Sequence, residues 1–97
     1  MYAGKLSPMK LHIHVQDIRE TVEVQSADEA LRRFKQETAK RAPMMMRPFI
    51  NSMNSLSFAA EAVKRNNQKT KRNDPAPASA QQFLDWAVER GYVTVEQ

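Results

Sequence analysis

The chain has 97 residues, 41% hydrophobic and 7% aromatic, enough for about one small domain whose core alone gives marginal stability. Lys and Arg number 15 against 11 Asp and Glu, a net charge of +4 that favours polyanionic partners. Cysteine is absent, which excludes a disulfide frame, a Cys-based zinc site and a thiol nucleophile, and no apolar run approaches the ~18 residues of a membrane span.

Residues 1 to 16 hold two lysines and no acid, a bias shared with organellar leaders, yet MYAGKLSP is too short and unpatterned to be one. In MKLHIHVQ, Met9, Leu11, Ile13 and Val15 alternate with Lys10, His12, His14 and Gln16, the period of a half-buried strand. After DIRE, TVEVQ repeats the alternation with Val22 and Val24 inward, so the two runs should pair as a β-hairpin. His12 and His14 share one strand face without a third metal ligand at a specified spacing. They are expected to be solvated and to face Glu23 across the hairpin, while Asp17 and Glu20 serve solubility and the turn.

Ser26 reads as an N-cap, Glu29 as its capping-box partner and Asp28 as favourable charge in the first turn. The helix that follows carries an apolar stripe of Ala27, Ala30, Leu31 and Phe34 with Thr38 beside it. Lys40 and Arg41 suit its end and Pro43 its stop. Met44, Met45 and Met46 are expected to fill a small core at the connection, although flexible thioethers also suit an adaptable contact. A second helix is expected from Pro48 to Asn67, because Phe49, Met53, Leu56, Ala60 and Val63 recur at helical spacing. Its weak point is NSMNSLS, where Asn and Ser side chains compete for backbone hydrogen bonds.

NDPAPASA reads as a linker. A third helix starts with Ser79 as cap and Gln82 as box partner, buries Phe83, Leu84, Ala87 and Val88, and ends at Gly91. YVTVE then supplies a short last strand on the hairpin edge. The expected fold is mostly α with a small β part: a hairpin, two basic helices, a linker and a C-terminal helix with a short strand.

Charge divides the chain. Residues 1 to 42 carry eight bases and six acids, residues 43 to 73 six and one, and residues 74 to 97 one and four. This separates a basic hairpin and two-helix region, 1–73, from an acidic helical extension, 74–97. Gly4 and Gly91 are the only glycines, so no phosphate loop is present, and no paired-acid signature appears. A non-enzymatic protein without cofactor or metal is expected.

At about 100° per residue, Arg32, Arg33, Lys35 and Lys40 lie away from Phe34 as one cationic face. The same projection of the second helix sets Arg47, Asn51, Asn54, Phe58 and Arg65 opposite Phe49. Cations, amides and an aromatic are groups that grip phosphates, hydrogen-bond bases and stack on unpaired ones. VKRNNQKTKR adds Lys64, Arg65, Lys69, Lys71 and Arg72, five cations in nine residues, a pattern that tracks a phosphate backbone by counterion release. With Arg41, these are the candidate RNA-binding residues. A solvated charged surface explains the same pattern without a partner.

Asp28, Ala30, Leu31, Arg32, Arg33, Phe34, Lys35 and Lys40 resemble the signature of the bacterial-type small-subunit ribosomal protein family numbered twenty-one. VEV at 22–24 resembles the extended segment before that helix, and AVKR at 62–65 the basic second half. The resemblance implies a mostly helical, non-enzymatic protein on small-subunit rRNA, near the platform and the RNA 3′ end. Arg32, Arg33 and Lys35 would meet phosphates. The acidic extension, with Phe83, Trp86 and Tyr92, would touch neighbouring ribosomal proteins. Such a ribosome could belong to a bacterial cytoplasm or an organellar (mitochondrial) matrix. Two rivals stand beside this: a homo-oligomeric interaction module using Met44 to Met46, and a nucleic-acid accessory protein outside the ribosome, for which no helix-turn-helix spacing is found.

Overall fold

The computed structural model describes residues 8–15 and 18–96. The leader-like residues 1–7, Gln16 and Asp17 of the expected turn, and residue 97 lie outside the described residues. The elements are β1 (Met9–Val15), β2 (Ile18–Val24), α1 (Ala27–Arg41), α2 (Arg47–Ser52), α3 (Ser55–Thr70), α4 (Ala80–Glu89) and β3 (Val93–Glu96). The fold is mostly α with a small β part. Its antiparallel sheet has the order β2-β1-β3, so the last strand does join the hairpin edge.

Alternation in the strands turns Leu11, Ile13, Val22, Val24 and Val93 inward and leaves Lys10, His12, Thr21 and Glu23 on the other side, because successive side chains of a strand point to opposite faces. Register corrects one expectation. Leu11 sits opposite Val22, which places Thr21 across from His12 and Glu23 across from Lys10.

α1 and α4 start by the same device. The Ser26 hydroxyl accepts the Glu29 N–H at 3.1 Å, and the Glu29 carboxylate accepts the Gln25 N–H at 2.6 Å. At α4 the Ser79 hydroxyl accepts the Gln82 N–H at 3.1 Å, and the Gln82 side chain accepts the Ala78 N–H at 2.9 Å. In each case the reciprocal bond reaches one residue upstream of the cap itself, a variant of the capping box.

The expected helix over 48–67 is two helices. Asn54 lies in extended backbone, and its side-chain carbonyl accepts the Ser57 N–H at 2.8 Å. At this position local capping wins over helix continuation. The interruption resets the helical phase, so Phe58, Ala59 and Val63 face the core, whereas Phe49 and Leu56 are 55% and 43% exposed. Phe58, expected outside for base stacking, is therefore buried. The methionines are corrected too. The turn closed by the Met46 N–H on the Pro43 carbonyl carries Met44 and Met45 outward, 79% and 91% exposed.

Phe83 of α4 joins the helices. It meets Phe34 of α1 edge-on at 5.6 Å between centroids, Phe58 of α3 at 6.5 Å and Trp86 at 5.7 Å. Residues 74–97, expected to form an extension, thus contribute Phe83, Leu84, Ala87 and Val93 to the common core; Val88, expected inward, is 43% exposed. At the end of α4 the Gly91 N–H bonds the Val88 carbonyl and the Tyr92 N–H the Ala87 carbonyl. This is a Schellman closure, and it requires the positive φ of +80° that glycine adopts without strain. The chain then re-enters the sheet, with the His14 N–H on the Tyr92 carbonyl at 2.7 Å.

The start of the linker is anchored. The Asn67 amide donates to the Asp74 carbonyl at 2.9 Å and accepts the Asp74 N–H at 3.1 Å, and the Trp86 indole donates to the Asp74 carboxylate at 3.0 Å.

Candidate nucleic-acid interface and the neighbouring groove

The candidate cations fall into two groups by what they already hold. Arg41 donates to Glu37 at 2.6 Å and to Glu20 at 3.3 Å, tying the end of α1 to β2. Lys40 also meets Glu37, at 3.2 Å. Glu37 is buried, and the Arg41 guanidinium holds its carboxyl below the usual carboxylate range against the opposing effect of burial. Arg47 donates to the Lys40 and Ala42 carbonyls at 3.0 and 3.3 Å, neutralising free carbonyls at the end of α1. Arg72 pairs with Asp74 at 3.4 Å, and Lys35 reaches the Asn51 carbonyl at 3.4 Å. These side chains staple elements to one another.

The second group is available. Among the described residues, Arg32, Arg33, Lys64, Lys69 and Lys71 make no ion pair. Arg65 makes one at 3.7 Å with Glu61 and keeps 65% of its side chain exposed. Inward anchoring of α3 by Phe58, Ala59 and Val63 turns Lys64 and Lys69 out. The cations of α3 do not form a single row, however. Lys64 flanks a shallow depression toward Arg72 and Asp74, whereas Arg65 and Lys69 line a trough on the other side. Lys71 ends the helix in the left-handed region, φ 58°, a conformation costing a non-glycine residue about 1 kcal/mol.

The trough is apolar. One part, about 720 Å³, lies between the end of β1, the end of α1, α2 and α3, with Val15, Ile18, Phe49, Ile50, Met53 and Ala62 on its walls. A second part, about 570 Å³, continues past Phe34 toward Trp86 and Tyr92. Val15, Thr38, Phe58, Ala62 and Arg65 border both parts, so they form one continuous groove.

His12 occupies the solvent-facing side of the sheet. Its Nδ1 is 3.1 Å from the Thr21 hydroxyl and its Nε2 is 2.9 Å from the Glu96 carboxylate. Hydroxyl, imidazole and carboxylate are in sequence, and none of them borders either part of the groove. The contact to His12 holds the Glu96 carboxyl low, and its evident effect is to fasten β3 across β1 to β2. No cluster of three or more His, Cys, Asp or Glu able to hold a metal occurs among the described residues.

The groove is not legible in the sequence because its walls come from six elements, β1, β2 and α1 to α4, and include Phe49, placed inward by periodicity. The available cations are visible in VKRNNQKTKR, and Glu37 stands one helical turn before Arg41 in the sequence; the contacts of Arg41 to Glu20 and of Arg47 to the helix-end carbonyls form only on folding. No family model matches the chain, and no curated protein or solved structure is significantly similar to it.

Proposed function

We propose that this chain is a non-enzymatic RNA-binding protein that grips the phosphate backbone through the end of α3 and the outer side of α1. The observation that carries the reading is the set of cations that make no ion pair among the described residues: exposed Lys64 and Lys71 along and at the end of α3, and exposed Arg32 with half-buried Arg33 on α1. A cation already matched by a carboxylate gains little by meeting phosphate, whereas an unpaired exposed one releases a counterion from the nucleic acid. Phe34 and Phe58, the aromatics of α1 and α3, are buried and supply no stacking platform beside these cations. Recognition is therefore of backbone shape and charge more than of bases. The resemblance of DEALRRFK to the small-subunit ribosomal family supports rRNA as the RNA and a ribosome as the place.

Two measurements test this. The native protein should co-sediment with small ribosomal subunits at moderate salt and leave them after RNase treatment; recovery only in light fractions would overturn the ribosomal assignment. In solution, affinity for a small-subunit rRNA fragment should fall with salt at a slope of about −0.7 to −0.9 per phosphate engaged. Joint reversal of Arg32, Lys64 and Lys71 to Glu should weaken binding by at least about a hundredfold at low salt, as expected for losing several phosphate contacts. Unchanged affinity with an intact circular dichroism spectrum would refute the interface.

A further inference from the structure

The apolar groove beside α2 is left unused by the proposed RNA interface. We infer that it is the docking site of an acidic amphipathic helix from a protein partner. Three observations lead there. First, the walls combine apolar depth with adaptable side chains: Phe49 is 55% exposed, and the half-buried Met46 and Met53 line the groove with it. Flexible thioethers in the wall of a groove accommodate an inserted apolar side chain by changing rotamer. Second, the form is concave and continuous, about 720 Å³ in its larger part alone, which suits a helix laying down side chains at i, i+3, i+4 and i+7.

Third, the charge at the border has one prevailing sign. Arg41, Arg65 and Lys69 border the groove against Glu61 alone, and no acid occurs between Glu37 and Glu61 in the chain. Lys40 and Arg47 stand just behind Arg41, and although Glu37 and Glu20 pair with Arg41, cations still outnumber acids around the groove, with Lys69 in no ion pair among the described residues. A second copy brought onto this surface about a two-fold axis would set these cations against their equals, whereas an acidic helix complements them. RNA complements the charge but not the apolar walls. The arrangement separates two sides of α3: Lys64 and Lys71 for phosphate, Arg65 and Lys69 toward the groove.

The probe is a helix-forming peptide of about 14 residues with leucines at the anchor spacing and glutamates elsewhere, titrated into the full chain. Trp86, the only tryptophan, borders the second part of the groove and reports binding by fluorescence, while 13C-methyl spectra follow Met44, Met45, Met46 and Met53. The expected result is saturable binding that moves these signals, about tenfold or more tighter than for the lysine counterpart or a scrambled acidic peptide. Phe49→Ser should weaken it by about tenfold or more; Leu56→Ser, also exposed but outside the groove, should leave it unchanged. Equal binding of all three peptides, or insensitivity to Phe49→Ser, overturns the inference. So do methionine shifts caused by self-association on dilution, or by vesicles of phosphatidylglycerol, in place of the peptide. Phe49→Ser should retain RNA affinity and the triple charge reversal should retain peptide affinity, so the two readings fail separately.

Discussion

α2 and α4 are both short and both carry aromatic and aliphatic side chains, yet they use them in opposite ways. α4 has a serine cap with its returning glutamine, a glycine closure and four buried residues. α2 has six residues, no side-chain cap and no buried residue; it leans on α1 through Arg47 and Lys35. Apolar content alone therefore does not say which helix builds the core. Termination signals do: the element bounded at both ends by dedicated hydrogen bonds is the one the fold depends on. The other displays its apolar residues at the surface.

The contrast can be broken most forcefully at Phe83. Phe83→Ala removes the ring shared by α1, α3 and α4 and should cost about 3 to 5 kcal/mol, read as a large fall in the urea midpoint. Ser79→Ala, which deletes the cap of α4, should cost about 1 kcal/mol in the same titration. A loss near zero would mean that packing, not capping, defines the start of α4.

Asp74 gives a smaller effect with a distinctive pH signature. The Trp86 indole, then the Arg90 and Arg72 charges, hold its carboxyl below its ordinary value of 3.8 against burial. A group whose value is lowered by folding stabilises the native state above its unfolded value and loses that contribution as pH falls through the folded one. Melting temperature should therefore drop as pH falls below 3.8, and Asp74→Asn should reduce that drop while Glu37, lowered by Arg41, sustains the remainder. An identical acid profile for Asp74→Asn would show that the linker anchor does not depend on the carboxylate charge. Smallest is Phe49→Ser in α2, expected to change stability by less than about 0.5 kcal/mol, which equilibrium unfolding can bound. A substantial loss would mean that Phe49 supports the fold and is not free to receive a partner.

What could be read from the chain follows from how far apart the cooperating residues lie. β1, β2, α1 and α4 rest on alternation, a 3.6-residue stripe and caps within four residues of one another, and those signals are local. Around NSMNSLS two local tendencies compete, and the sequence does not give the position where Asn54 ends one helix and begins another. From there the phase error inverted Phe49 and Phe58 together. Likewise Lys64, Lys69 and Lys71 could be picked out as cations, but their availability depends on where acids stand in space; Arg41 is held first by Glu37, one turn away, and Glu20, far from it in sequence, adds a second contact.

The pairing of β1 with β3 has a consequence for the order of folding. Lys10 lies opposite Glu96 and Ile13 opposite Val93, so the central strand waits for β3, which follows every other described element in the chain, before its second edge is covered. Contacts of such sequence separation slow the approach to the native state. Until α4 and β3 arrive, Phe34, Phe58 and the open edge of β1 are exposed together, an arrangement prone to association between chains. Vectorial synthesis thus leaves the nascent chain exposed longest at the edge that β3 covers last.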